Sequence, residues 1–156
     1  MKNEIQLTVN GQRQRVAVAP DTPLLYVLRN NLELNGPKYG CGLEQCGSCM
    51  VLIDGEARPS CLVPVSSLQD AVITTLDGLG NAQTLHPVQE AFVEEQAAQC
   101  GYCLNGMVMA TAGLLEKNTD PREEDIRQAL QGVVCRCGTH SRVLKAARKA
   151  VQLAKK

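Results

Sequence analysis

The sequence predicts an α+β chain in two parts: a strand-rich N-terminal unit built around a cysteine loop, then a unit of four helices carrying a second set of cysteines. Three observations carry that prediction. Short runs of alternating apolar residues recur up to about residue 76, the period of two that belongs to strands. After Asp77-Gly78-Leu79-Gly80-Asn81 the apolar spacing turns helical. The eight cysteines divide between the parts, with Cys41, Cys46, Cys49 and Cys61 in the first and Cys100, Cys103, Cys135 and Cys137 in the second. The expected units are residues 1–77 and 87–156, joined by a connector at 78–86.

The first run, Ile5, Leu7 and Val9, predicts a strand, and Asn10-Gly11 a two-residue hairpin turn. Val16 and Val18 continue the alternation on the return strand. Thr22-Pro23 has the form of an N-cap and first helical position, opening a helix over 24–30 that buries Leu24, Leu25 and Leu28. Residues 50–53 predict a strand turning at Asp54-Gly55, 61–63 a further short strand and 73–76 a last one. Strands, one helix and a cysteine loop in this order fit a β-grasp unit. Beyond the break, Pro87 starts a helix to about residue 98, and a second helix runs over 104–117. Asp120-Pro121-x-Glu123 has the form of a capping box for a third, to about 131, and Val143, Ala147, Ala150 and Val151 form the apolar stripe of a fourth over 139–153.

Composition narrows the function. Lysine and arginine balance aspartate and glutamate at 16 each, so no bulk charge draws the chain to nucleic acid. No apolar run approaches a membrane span, and the N-terminus has neither a signal peptide's apolar core nor a twin-arginine motif, which predicts a cytoplasmic protein. With an aromatic fraction of only 3%, two small units have little large core to bury, and bound metal would add folding free energy. Eight cysteines in a reducing compartment favour metal ligation over disulfides.

The stretch Gly40 to Cys49, GCGLEQCGSC, sets Cys41, Cys46 and Cys49 at C-x4-C-x2-C, with Cys61 after eleven intervening residues. That is the spacing with which plant-type ferredoxins hold a [2Fe–2S] cluster, and it favours such a cluster over zinc. Gly40, Gly42 and Gly47 permit the tight turns that aim three thiolates at one point. Cys100-x2-Cys103 and Cys135-x-Cys137 each fall at a junction between predicted helices, and antiparallel pairing of those helices would bring the junctions together. By spacing alone this second set suits zinc as well as iron–sulfur.

With GPKYGCGLEQCGSC, QCGYCLNGM and VVCRCGTH in this order, the chain resembles the small iron–sulfur subunit of the molybdenum hydroxylases, the xanthine dehydrogenase/aldehyde oxidase family. The resemblance runs from Ile5 to about Val151. In motif detail it is most similar to the two-component enzymes that hydroxylate nitrogen heterocycles, of the nicotinate dehydrogenase and isoquinoline 1-oxidoreductase types. It implies a β-grasp, plant-type ferredoxin-like domain followed by a four-helix domain, each with one [2Fe–2S] cluster. By position it implies that Cys41, Cys46, Cys49 and Cys61 ligate the first, and Cys100, Cys103, Cys135 and Cys137 the second. It implies that Gln99 and Cys137 contact the molybdopterin-type cofactor, held mainly by a large partner subunit. The implied role is transfer of electrons from molybdenum through the C-terminal and then the N-terminal cluster to an external acceptor, a flavin subunit or a c-type haem domain. No residue of this chain is expected to be catalytic. An aldehyde-, purine- or CO-oxidising relative would use the same part, and an exported partner could carry it to the periplasm or a membrane. A stand-alone zinc or iron–sulfur regulatory protein is the alternative from another class.

Two residues depart from the family pattern. Glu44 sits where relatives commonly have glycine, and Ser48 where alanine is common. The negative charge of Glu44 beside the first cluster is expected to lower its reduction potential. His86 is expected at a helix start, His140 in packing or a partner contact, and the basic residues Arg142, Lys145, Arg148, Lys149, Lys155 and Lys156 on a solvated face.

Overall fold

The computed structural model describes residues 3–155. Its N-terminal half is a five-stranded mixed sheet in the order β2-β1-β5-β3-β4, with β1 Asn3–Val9, β2 Gln12–Val18, β3 Met50–Ile53, β4 Glu56–Pro59 and β5 Val72–Thr74. β1 and β2 form an antiparallel hairpin whose register closes at Val9 opposite Gln12. Its turn residues, Asn10 and Gly11, both have positive φ (51° and 75°), as the predicted hairpin turn requires. β5 then pairs parallel with β1 and antiparallel with β3, so the first and middle strands of the chain meet through the last one.

Two predicted elements differ from the structure. Residues 61–63 do not form a strand; the partner of β3 is β4, just before them in the chain. The backbone around Cys61 is used instead to brace the helix that follows β2. Leu24 N–H donates to Val63 O at 2.8 Å and Leu25 N–H to Ser60 O at 3.0 Å. Those carbonyls satisfy the first-turn donors of α1 (Leu24–Tyr26), so Thr22 is not needed as a cap and the N-cap is Pro23. α1 widens into a π-helical turn over Val27–Asn31, and together they bury Leu24, Leu25, Val27 and Leu28. β5 also ends sooner than expected: Leu76 opens a short helical turn, α2 (Leu76–Leu79), within the predicted break.

The remaining helices are α3 (Pro87–Glu94), α4 (Leu104–Lys117), α5 (Glu123–Leu130) and α6 (His140–Ala154). His86 caps α3 as expected: its Nδ1 accepts from Val88 N–H at 3.2 Å, while Gln89 Oε1 accepts from His86 N–H at 3.0 Å. α3 stops at Glu94, short of the predicted 98. The expected capping box at Asp120 lies two residues on, where the Asp125 carboxylate accepts from Arg122 N–H at 2.9 Å. Asp120 instead pairs with Lys155 at 2.6 Å.

The two halves share a strand. All four residues of β3 are buried. Val51 and Ile53 point into the N-terminal core with Leu7, Leu28 and Ile73, whereas Met50 and Leu52 point into the helical core with Met107, Val108 and Val143. The close fit of α4 against this face shows at Gly113, where an added Cβ would lie 2.9 Å from Ala57. The basic stripe of α6 is not merely solvated. Arg148 grips Glu123 of α5 through two bonds of 2.6 and 2.7 Å, and Lys149 reaches Glu94 at 2.6 Å. Lys156 lies outside the described residues.

Candidate metal centres

The loop between α1 and β3 carries Cys41, Cys46 and Cys49, and its own backbone supplies donors to the sulfurs. Leu43 and Gln45 N–H both donate to Cys41 Sγ, and Cys41 N–H donates to Cys46 Sγ, each at 3.3 Å. Cys61 brings the fourth sulfur from beyond β4, and Ser60 N–H, next to it, donates to Cys49 Sγ at 3.3 Å. The amide of Leu43 above all holds the Cys41 thiol down at about 7, whereas burial pushes Cys61 up to about 11. Gly42 and Gly47 have φ of +67° and +72°, the turns expected of them, whereas Gly40 makes no such turn and instead leaves room for Cys46 Sγ, 2.6 Å from where its Cβ would lie. Glu44 makes the same kind of turn with φ of +58°, which explains why a glycine suits that position. Its backbone amide works against the upward push of burial on Cys61.

The second group forms where the α3–α4 and α5–α6 junctions meet. Cys103 lies beside Cys135, and Cys100 beside Cys137. Burial pushes Cys103 up to about 12. Burial raises Cys135 too, but the Thr139 hydroxyl, 3.2 Å away, and its N–H outweigh it and bring the thiol to about 7. Cys100, Gln99 and Tyr102 are exposed, so this group opens to the surface on one side. The first group is paired in the same way, Cys41 with Cys46 and Cys49 with Cys61. None of the eight cysteines is in a disulfide.

Among the described residues, no three histidine, cysteine, aspartate or glutamate side chains close around one point as a single ion requires. The four sulfurs gathered in each group supply the donor set of a two-iron cluster, with a pair of thiolates at each iron. The buried Cys61 thiol and the half-buried Cys103 thiol, raised to about 11 and 12, oppose thiolate charge unless a bound cationic centre offsets it.

The two groups stand against each other. Val134 N–H, beside Cys135, donates to Cys46 O at 3.0 Å. A Cβ on Gly47 would fall 2.7 Å from Gly132 O, and one on Gly106 would fall 2.3 Å from Gly47 O, so glycine at both positions lets the loops touch. Sequence reasoning did not foresee that Gly106, beside the second group, meets the first. It also missed Thr139 and Asn105, which carry no spacing signal.

Fold and sites together describe a two-domain [2Fe–2S] protein, and comparison with known proteins agrees. The 2Fe-2S iron-sulfur cluster binding domain family matches residues 7–72, and the [2Fe-2S] binding domain family matches residues 75–148. A nicotinate dehydrogenase subunit of Pseudomonas putida is 53% identical over 100% of this chain and 99% of its own. The alpha subunit of isoquinoline 1-oxidoreductase from Brevundimonas diminuta is 46% identical over 89% of this chain and 91% of its own. Among solved structures, quinoline 2-oxidoreductase of Pseudomonas putida superposes with a TM-score of 0.91 at 31% identity, covering 99% of this chain and 96% of that one. The aldehyde oxidoreductase of Desulfovibrio desulfuricans superposes with a TM-score of 0.93 at 36% identity, over 99% of this chain but 17% of that one. The chain belongs to the small iron–sulfur subunits of the molybdenum hydroxylases, a family of oxidoreductases.

Proposed function

We propose that this chain is the electron-transfer component of a molybdenum-cofactor hydroxylase. It takes electrons from the molybdenum–pterin centre of a large partner subunit. It passes them on to an external acceptor while a nitrogen-heterocyclic aromatic, such as nicotinate or isoquinoline, is hydroxylated. In this role Cys41, Cys46, Cys49 and Cys61 hold one [2Fe–2S] cluster, and Cys100, Cys103, Cys135 and Cys137 hold the other. Bound there, such clusters supply one-electron storage, which lets a two-electron oxidation drain in single steps.

The observation that carries the proposal is the pair of paired-sulfur groups on two domains that touch through Val134 N–H and Cys46 O. The chain's own work is placement. Loop amides hold negative charge on Cys41 and Thr139 does so for Cys135, the Ser60 amide donates to Cys49 Sγ, and packing with Leu25 keeps water from Cys49 and Cys61. Gln99 is exposed directly before Cys100 and Cys137 is half-buried, so both are open to contact with a partner's pterin in this reading. The heterocyclic substrate class is supported by the full-length match to a nicotinate dehydrogenase subunit. A reducing cytoplasm, where thiols stay free for ligation, suits this role, and among the described residues no helix is long and apolar enough to cross a membrane.

Co-expression with the large partner tests this. The complex is expected to be brown, with roughly four irons per copy of this chain and two distinct reduced EPR signals. Nicotinate or isoquinoline should bleach the visible absorption anaerobically, and a panel including purines and aldehydes should not do so faster. A colourless protein holding two zinc ions would overturn the electron-transfer role; bleaching by aldehydes alone would overturn the substrate class. Adding a flavoprotein or a c-type cytochrome to the reduced complex identifies the acceptor.

A further inference from the structure

Asn105 lies two residues beyond Cys103, in the first turn of α4, and is only 1% exposed. Its Nδ2 donates to Ser48 O at 3.0 Å and to Met50 O at 2.9 Å. Those carbonyls belong to the residues immediately before and after Cys49. A side chain next to one cysteine group therefore clasps the backbone on both sides of a cysteine in the other. The amide orientation follows from the chemistry, since two carbonyls need donors and only the nitrogen end has them. Its Oδ1 is left buried without a partner, a penalty that an apolar side chain would avoid. The directed contacts of the carboxamide are thus to the loop of the other domain, and their geometry is tight: Gly106, the next residue, sits against Gly47 O. A second side chain makes the same kind of reach. The Tyr102 hydroxyl donates to the carbonyl of Tyr39, two residues before Cys41, and Tyr39 is itself stacked on Tyr26 with ring centroids 6.2 Å apart.

We infer that Asn105, assisted by Tyr102, is the positioning residue that fixes the N-terminal cluster relative to the C-terminal one. The backbone bond from Val134 to Cys46 and the close approaches at Gly47 join the loops along one side. Clasps at Ser48 and Met50, and at Tyr39, add separate points of attachment. Cys49 has Ser60 N–H on its sulfur and Asn105 on the carbonyls of both neighbouring residues, so its place is set from both domains at once. The inference rests on the proposal that the eight cysteines hold two clusters.

The test is EPR of the fully reduced complex with its large partner, for the wild type, Asn105→Leu and Tyr102→Phe, together with iron content and the midpoint potential of each cluster. Leucine keeps the branched shape and the number of side-chain heavy atoms and removes the donors. Asn105→Leu is expected to change the spin–spin splitting between the reduced clusters and to shift the potential of the N-terminal cluster, leaving that of the C-terminal cluster in place. Selective loss of the N-terminal signal would also support the clasp, because it shows that Cys49 is not held without it. Wild-type splitting and potentials in an iron-replete Asn105→Leu complex would overturn it. Should that variant fail to fold, Tyr102→Phe decides: it deletes one hydroxyl, and a changed splitting supports the inference while an unchanged one overturns it. A wild-type complex without iron would instead refute the cluster assignment itself, so the two failures are separable.

Discussion

The two cysteine groups reach similar paired arrangements by different means. Three of the four N-terminal cysteines lie within nine residues, on a loop whose own amides point at the sulfurs. The C-terminal four come from two helix junctions, with 31 residues between Cys103 and Cys135. They meet only because α4, α5 and α6 pack on one core, and a hydroxyl from Thr139 takes the part that loop amides take in the first group. The first group is thus made mainly by local backbone geometry and the second by tertiary packing. The second should be the first to fail when packing is disturbed.

The largest effect separates the groups outright. Cys49→Ala is expected to remove the N-terminal cluster and Cys135→Ala the C-terminal one, each leaving roughly two of four irons and one of two EPR signals. If either variant abolished both signals, the groups would be a single cooperative unit rather than two.

Packing tests the contrast more sharply. Met107 is fully buried in the helical core, and Met107→Ala should destabilise the protein by about 2–4 kcal/mol. In a urea titration followed by EPR, the C-terminal signal is expected to fade before the N-terminal one. Simultaneous loss would show that β3, which lends Met50 and Leu52 to the helical core, welds the domains into one unfolding unit. Gly47→Ala addresses that weld directly. Its φ of +72° and the approach of Gly132 O leave no room for a methyl group, so a loss of about 2 kcal/mol is expected. Here both signals should suffer together, because the contact belongs to both domains.

Legibility in the sequence follows the same division. The first group could be read from C-x4-C-x2-C alone, because its geometry is local. The spacing of the second left zinc and iron–sulfur equal, since pairing of Cys103 with Cys135 depends on helix packing that no short motif encodes. The hairpin at Asn10-Gly11 and the start of α3 at Pro87 were legible for the local reason again. The region around Cys61 was not: its apolar residues resemble a strand, but its carbonyls cap α1, a use visible only once the two segments are side by side. Ion pairs such as Arg148 with Glu123 were hidden in the same way, behind a basic stripe that reads as solvated.

Glu44 gives the smallest effect and separates two causes that act at one residue of the local group. Its φ of +58° strains a non-glycine side chain by roughly 1–2 kcal/mol, and its carboxylate belongs to the loop that holds Cys41 and Cys46. Glu44→Gly removes both strain and charge, but glycine also gives the unfolded chain more freedom, worth about 0.5–1 kcal/mol in the opposite direction. Net stability should therefore rise by less than about 1 kcal/mol. Glu44→Gln removes the charge and keeps the strain. If charge sets the potential, both variants raise the midpoint of the N-terminal cluster by the same amount, because a negative neighbour disfavours taking an electron, and the C-terminal cluster stays put. If only the glycine variant shifts, the loop's shape is what matters, through the placing of the Glu44 amide near Cys61. An unchanged potential in both would mean that the loop amides, rather than the charge, govern this end of the chain.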